Sequence, residues 1–173
     1  MWLSFGVSPL DSTVAMRAAI NRFGGLHFFN PVPVMRLLEV IRTPHTSEET
    51  YQAMMEWGKA LGKGTVTCKD TPGFIVNRLL VPYMADALCL IERGDATPKD
   101  VDLGMKLSVG YPMGPIELAD YNGLDNNKRV AEIWAKTFPD DARFKPSKLL
   151  NEKVAQGKLG VKTGEGFYVY NKK

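Results

Sequence analysis

The first clear periodic pattern of apolar positions lies between Gly25 and Ile41. Leu26 to Phe29 is apolar and aromatic around one histidine, and Leu37 to Ile41 is an apolar run holding one carboxylate. Side chains alternate across a strand, so Leu37, Glu39 and Ile41 share a face, as do His27 and Phe29. Between the runs, Pro31 and Pro33 cannot donate to a ladder and push Asn30 and Val32 toward extended backbone. The pattern predicts a strand, a proline-pinned loop and a second strand. Upstream, Ser12 can cap a helix to about Asn21, ended by Gly24-Gly25. Downstream, Thr46 or Ser47 caps a helix with Glu48 and Glu49 in its first turn, stopping at Gly62 or Gly64. Thr65 to Cys68 reads as a further strand. Residues 12–68 thus follow an αββαβ order, the back half of an α/β domain whose front half is missing.

After the punctuation Asp70-Thr71-Pro72-Gly73 the pattern turns helical. Phe74 to Arg93 is apolar around most of a helical circumference, which predicts a central, buried helix kinked at Pro82. Thr97-Pro98-Lys99-Asp100 is a helix start, and that helix runs to Val109 before Gly110. Pro115 opens a short helix to Tyr121. Asp125 caps one to about Phe138, and Ser147 caps another to Ala155 or Gln156. Thr163 to Gly166 is a turn, and Phe167 to Tyr170 is extended. Five helices with little strand predict a helical bundle, with a surface for a partner subunit. The fold class is therefore an α/β remnant over residues 1–70 followed by an all-α bundle over residues 71–173.

Composition changes this picture little. The chain has 173 residues, 45% hydrophobic and 24% charged, which is ordinary for a globular protein. A net charge of +3 and a pI near 8.8, with no dense basic stripe, suit an anionic small ligand better than a nucleic acid. The apolar run Leu79 to Ile91 is interrupted by Pro82 and Asp86 and is too short for a membrane span. Met1 to Leu10 lacks the basic start and cleavage site of a signal peptide. Cys68 and Cys89 have no metal-ligand spacing and read as reduced thiols. No metal site is expected.

The candidate chemistry is His27 with Glu39. A short loop between the two strands can bring them together, and a carboxylate inside an apolar strand is costly without a partner. Glu39 can hold one imidazole nitrogen as a donor, leaving the other free to take a proton, which outlines a general base for an alcohol. The plain alternative is a satisfied core histidine beside a strand-edge charge.

The runs His27-Phe28-Phe29-Asn30-Pro31, Asp70 to Arg78, Gly110-Tyr111-Pro112-Met113-Gly114-Pro115 and Lys162 to Tyr168 resemble the L-3-hydroxyacyl-CoA dehydrogenases of fatty-acid β-oxidation. The likeness covers about Phe23 to the end and is nearest the short-chain, single-function mitochondrial type. It implies NAD-dependent oxidation of the 3-hydroxyl of an acyl-CoA, a homodimer through the helical domain, and the mitochondrial matrix. By resemblance His27 is the catalytic base, Glu39 its orienting carboxylate, and Asn77 a hydrogen-bond partner of the reacting oxygen. Asn30 and Lys162 resemble contacts to NAD near the nicotinamide. The plainer readings are a surface or capping residue for Asn77, a turn residue for Asn30 and a solvated loop lysine for Lys162. Met113 and Pro115 either line the acyl chain or pack the loop.

Two departures stand out. No G-x-G-x-x-G occurs in the chain; Gly62-Lys63-Gly64 and Gly164-Glu165-Gly166 lack the third glycine. The family serine about 21 positions before the histidine falls on Gly6, and neither Ser4 nor Ser8 matches its surroundings. The resemblance therefore implies an enzyme lacking most of its N-terminal Rossmann domain. The alternative is a non-catalytic, truncated form acting as a dimerisation or regulatory module.

Overall fold

Leu37–Arg42 forms the middle strand, β2, of a three-stranded sheet because its side chains are apolar on both faces. The computed structural model describes residues 20–145 and 147–170, so the predicted Ser12 helix up to residue 19, with Ser4, Gly6 and Ser8, lies outside the described residues. The chain divides into two units between Arg78 and Leu79.

In the first unit, Ile20–Arg22 is a turn of 3₁₀ helix and Gly25–Phe28 is β1. β1 runs antiparallel to β2 in the register Leu26 opposite Val40 and His27 opposite Glu39. Glu48–Ala60 is helix α1, and Gly64–Lys69 is β3, which returns parallel to β2 with Glu39 opposite Val66. Such a parallel return requires a crossover, and α1 supplies it. Ser47 is the residue that caps α1, accepting from the Thr50 N–H at 3.2 Å, while the Thr46 hydroxyl donates to the Phe23 carbonyl at 2.7 Å. One face of the sheet packs Leu26, Leu38 and Val40 against Met54, and truncating a residue such as Leu38 to alanine costs about 2–5 kcal/mol. Gly58 lets α1 lie close: a Cβ there would stand 2.5 Å from the Thr65 methyl. The other face carries His27 and Glu39.

The proline loop has a clamp that the sequence reading does not anticipate. Val34 and Met35 N–H both donate to the Pro31 carbonyl, and Lys63 Nζ donates to the Val32 and Met35 carbonyls at 2.5 and 2.7 Å. Among the described residues β1 and β3 are the outer strands, each with one unpaired edge.

Helix α2, Val76–Glu92, carries the division between the units. It starts two residues later than predicted, so Asn77 is its second residue and not one turn inside it. It is also not buried all round: Met84, Ala87 and Leu88 are buried, whereas Leu79 is 70% exposed. A helix covered on one side hides one stripe, and apolar residues on its other faces stay at the surface.

The second unit continues with α3 Pro98–Val109, α4 Pro115–Asn122, α5 Leu124–Thr137 and α6 Lys148–Ala155. Thr97 caps α3, and Gly110 ends it with the left-handed φ of 73° that glycine tolerates. Ser147 caps α6 as predicted. The expected Asp125 cap is replaced: α5 begins at Leu124 behind Gly123, and Asp125 sits inside the first turn. Met84, Leu88, Ile116, Leu124 and Leu150 form this unit's core.

Two buried aspartates hold the second unit's loops. Asp102 accepts from the Ile116 and Glu117 N–H groups at 2.8 and 2.9 Å and from the Tyr168 hydroxyl at 2.6 Å. It thereby caps α4, whose N-cap, Gly114, has no side chain to do so. Asp120 accepts from the Phe167 and Tyr168 N–H groups, both at 2.9 Å, and from the Tyr170 hydroxyl at 3.0 Å. A Cβ at Gly114 would collide with Asp102, and one at Gly166 with Asp120. Gly114 and Gly166, one in each of these sequence runs, are thus explained by close approach to a carboxylate. Pro115 is fully buried at the first position of α4, the packing alternative.

Candidate functional site

His27 and Glu39 face each other across the β1–β2 pair, and the strands' register brings them together. His27 Nδ1 lies 2.6 Å from Glu39 Oε2. Glu39 is fully buried and the His27 side chain is 22% exposed. With Glu39 as a carboxylate, the hydrogen between them belongs on Nδ1, which leaves Nε2 as the free imidazole nitrogen. This nitrogen can take a proton, and the carboxylate stabilises the imidazolium that forms.

Glu39 is satisfied at both oxygens. Oε1 accepts from the Ile75 and Val76 N–H groups at 3.0 and 2.9 Å, at the start of α2. These are orphan donors that a helix beginning always presents. A buried carboxylate with three hydrogen bonds avoids the penalty of an unpaired one, which is what lets an acid occupy the central strand. The His27 ring also lies 4.7 Å from the Phe29 ring and 5.3 Å from the Phe74 ring, centroid to centroid. Sequence reasoning missed Phe74, Ile75 and Val76 as parts of this site. The signal was present in Pro72-Gly73 before an apolar helix, but nothing in it pointed to Glu39.

The other predicted residues fall in different places. Asn77 follows Val76 directly, is half-buried, and makes no side-chain hydrogen bond among the described residues. Asn30 is exposed at the end of β1, before the proline loop. Lys162 belongs to the second unit, where its Nζ donates to both Asp125 oxygens at 2.6 and 2.7 Å. That hydrogen bond, helped by the Asn126 N–H, holds the Asp125 carboxyl below the usual range.

Neither glycine pair forms a phosphate cradle. Gly62 and Gly64 follow the C-terminal end of α1 and lead into β3, where the unsatisfied helix groups are carbonyls. Gly166 stands against the Asp120 carboxylate. Cys68 lies on the sheet opposite Ile41; burial, with the charges of Glu39 and Asp70 adding, pushes its thiol up to about 11. No group of three potential metal ligands occurs among the described residues. No helix among them is long and apolar enough to cross a membrane.

Residues 73–170 match the family profile of the 3-hydroxyacyl-CoA dehydrogenase C-terminal domain, and residues 7–71 that of the NAD binding domain. The chain is 59% identical to the mitochondrial hydroxyacyl-coenzyme A dehydrogenase of Rattus norvegicus, over 87% of this chain and 48% of that protein. It is 60% identical to a probable 3-hydroxyacyl-CoA dehydrogenase of Caenorhabditis elegans over the same shares. The crystal structure of (S)-3-hydroxybutyryl-CoA dehydrogenase from Ralstonia eutropha superposes with a TM-score of 0.80 at 48% identity, covering 88% of this chain and 53% of that one. The chain spans about half the length of the curated relatives it matches. On these matches, the chain belongs to the 3-hydroxyacyl-CoA dehydrogenase family.

Proposed function

We propose that this chain carries the proton-transfer apparatus of an NAD-dependent 3-hydroxyacyl-CoA dehydrogenase. The observation that carries the reading is the 2.6 Å bond from His27 Nδ1 to a fully buried Glu39. His27 Nε2 takes the 3-hydroxyl proton of an acyl-CoA during oxidation and returns it during reduction. Glu39 holds the ring in the tautomer that leaves Nε2 as base. Asn77, with its side-chain amide unused among the described residues, hydrogen-bonds the reacting oxygen. NAD would supply the hydride acceptor for substrate C3. By resemblance Asn30 and, in the second unit, Lys162 would contact its nicotinamide end. Neither glycine pair among the described residues is suited to its pyrophosphate.

Residues 1–70 are read as the C-terminal part of a Rossmann-like, NAD-binding domain, and residues 71–173 as the family's helical domain. A second copy of the chain covers the exposed apolar side of α3, where Leu103 and Leu107 share a face and are 48% and 78% exposed. The mitochondrial matrix is the proposed compartment, on the names of the relatives.

The test is NADH oxidation with acetoacetyl-CoA by the chain and by His27→Gln. Turnover that vanishes in the variant supports the reading, and turnover that survives it removes His27 as the base. Light scattering on the chain and on Leu107→Lys tests the dimer: a dimer that weakens in the variant is expected.

A further inference from the structure

Among the described residues Phe74 is the one non-glycine with a positive φ, at 50°. The left-handed region crowds a Cβ against the following carbonyl, and non-glycine residues stay there only where the surroundings impose it. Glycine would meet the backbone demand at less cost, as Gly73 does next door at φ 82°. What glycine lacks is the ring.

Both halves of Phe74 bear on the His27–Glu39 pair. The Phe74 N–H donates to the Thr71 carbonyl at 3.0 Å, which closes a tight turn. The turn aims the next two N–H groups, of Ile75 and Val76, at Glu39 Oε1. The ring itself stands 5.3 Å from the imidazole, tilted by 53°. The terminal torsion of a histidine is broad and nearly two-fold, so its ring can present either edge unless packing selects one. A ring held by Phe29 and Phe74 keeps Nδ1 on the carboxylate.

We propose that Phe74 is a positioning residue: its backbone turn fixes Glu39, and its phenyl ring fixes the imidazole of His27. The proposal rests on the proton-transfer reading of His27. One residue supplies both contributions, and substitutions that keep the turn isolate that of the ring. Phe74→Gly keeps the turn and removes the ring. Phe74→Leu keeps the bulk without the aromatic plane, and Phe74→Tyr keeps the plane.

The experiment uses the 173-residue chain and reads His27 by ¹⁵N NMR, with His45→Gln to assign the two histidines. Turnover and its pH profile are measured alongside, and thermal unfolding checks the fold. In the parent and in Phe74→Tyr, His27 shows one tautomer, protonated at Nδ1. In Phe74→Gly and Phe74→Leu the tautomers mix, and kcat falls about tenfold with KM little changed. A single Nδ1–H tautomer and an unaltered pH profile in folded Phe74→Gly and Phe74→Leu overturn the proposal. The NMR readout needs no turnover, so it decides the role of Phe74 separately. Activity that survives His27→Gln would instead overturn the proton-transfer reading.

Discussion

Glu39 in the sheet unit and Asp102 and Asp120 in the helical unit are the same device put to different ends. Each is a buried carboxylate that accepts two neighbouring backbone N–H groups. The difference lies in the third partner. Asp102 and Asp120 are closed by the hydroxyls of Tyr168 and Tyr170. Burial, and then the hydrogen bonds to these aspartates, push both phenols up, so they stay protonated. Glu39 is closed by an imidazole whose second nitrogen remains available and whose side chain is part-exposed. A buried acid that ends on a phenol fastens loops. One that ends on a histidine also sets the direction of a proton.

The strongest way to sharpen this contrast is Glu39→Gln. The Ile75 and Val76 N–H groups demand an oxygen at Oε1, so the amide nitrogen must face His27. Nδ1 then has to accept, Nε2 carries the hydrogen, and the base is lost. We expect kcat for oxidation of a 3-hydroxyacyl-CoA to fall about 10⁴-fold, as in a triad whose aspartate becomes asparagine. An Nε2–H tautomer in the ¹⁵N spectrum checks the cause.

Asp120→Asn is the matched change in the helical unit. Its amide nitrogen must oppose at least one of three donors within a fully buried site. A stability loss of about 3–5 kcal/mol in urea unfolding is expected. The His27 tautomer should not change. If it does, the two carboxylates are not independent and the comparison fails.

Tyr168→Phe removes one hydroxyl from Asp102 and leaves its two N–H donors in place. About 1–2 kcal/mol is expected, again by urea. A larger loss would mean that Asp102 depends on the phenol more than on the start of α4.

The smallest effect concerns Cys68. Its thiol is raised to about 11, so the folded state disfavours the thiolate. The unfolded chain loses that proton first as pH rises. Stability is therefore intact below about 8.5 and declines from there through about 11. The raised phenols of Tyr168 and Tyr170 act in the same direction above about pH 10. Iodoacetamide at pH 8 should label Cys68 at least about tenfold more slowly in the folded chain than in urea. Equal rates would contradict its burial.

Local chemistry made much of the molecule legible. The proline loop, the Ser147 cap, the Thr97-Pro98 start and the Gly110 stop follow from preferences within a few residues, whereas the choice of Ser47 over Thr46 does not. The His27–Glu39 pair was also readable, because a two-residue period and one short connection leave little choice of register. The misreadings have a common origin. Asp125 looked like a cap, but Gly123 starts the helix and Lys162, far along the chain, takes the carboxylate. Helix α2 looked buried all round, yet composition does not say how many neighbours a helix has. Asn77 looked one turn inside α2, because Phe74 reads as a helix former and not as a residue at positive φ.

The sequence by itself determined where the chain bends, that Thr97 and Ser147 cap their helices, and that one histidine and one glutamate share a sheet face. Only the tertiary structure decided what completes each buried carboxylate. Ile75 and Val76 reach Glu39 across more than thirty residues, and Tyr168 and Tyr170 reach Asp102 and Asp120 across about fifty or more. The physical reason is that a hydrogen-bond acceptor is indifferent to the chain position of its donor. Periodicity reports which face a side chain takes, but only packing brings a distant N–H or hydroxyl to within three ångströms of it.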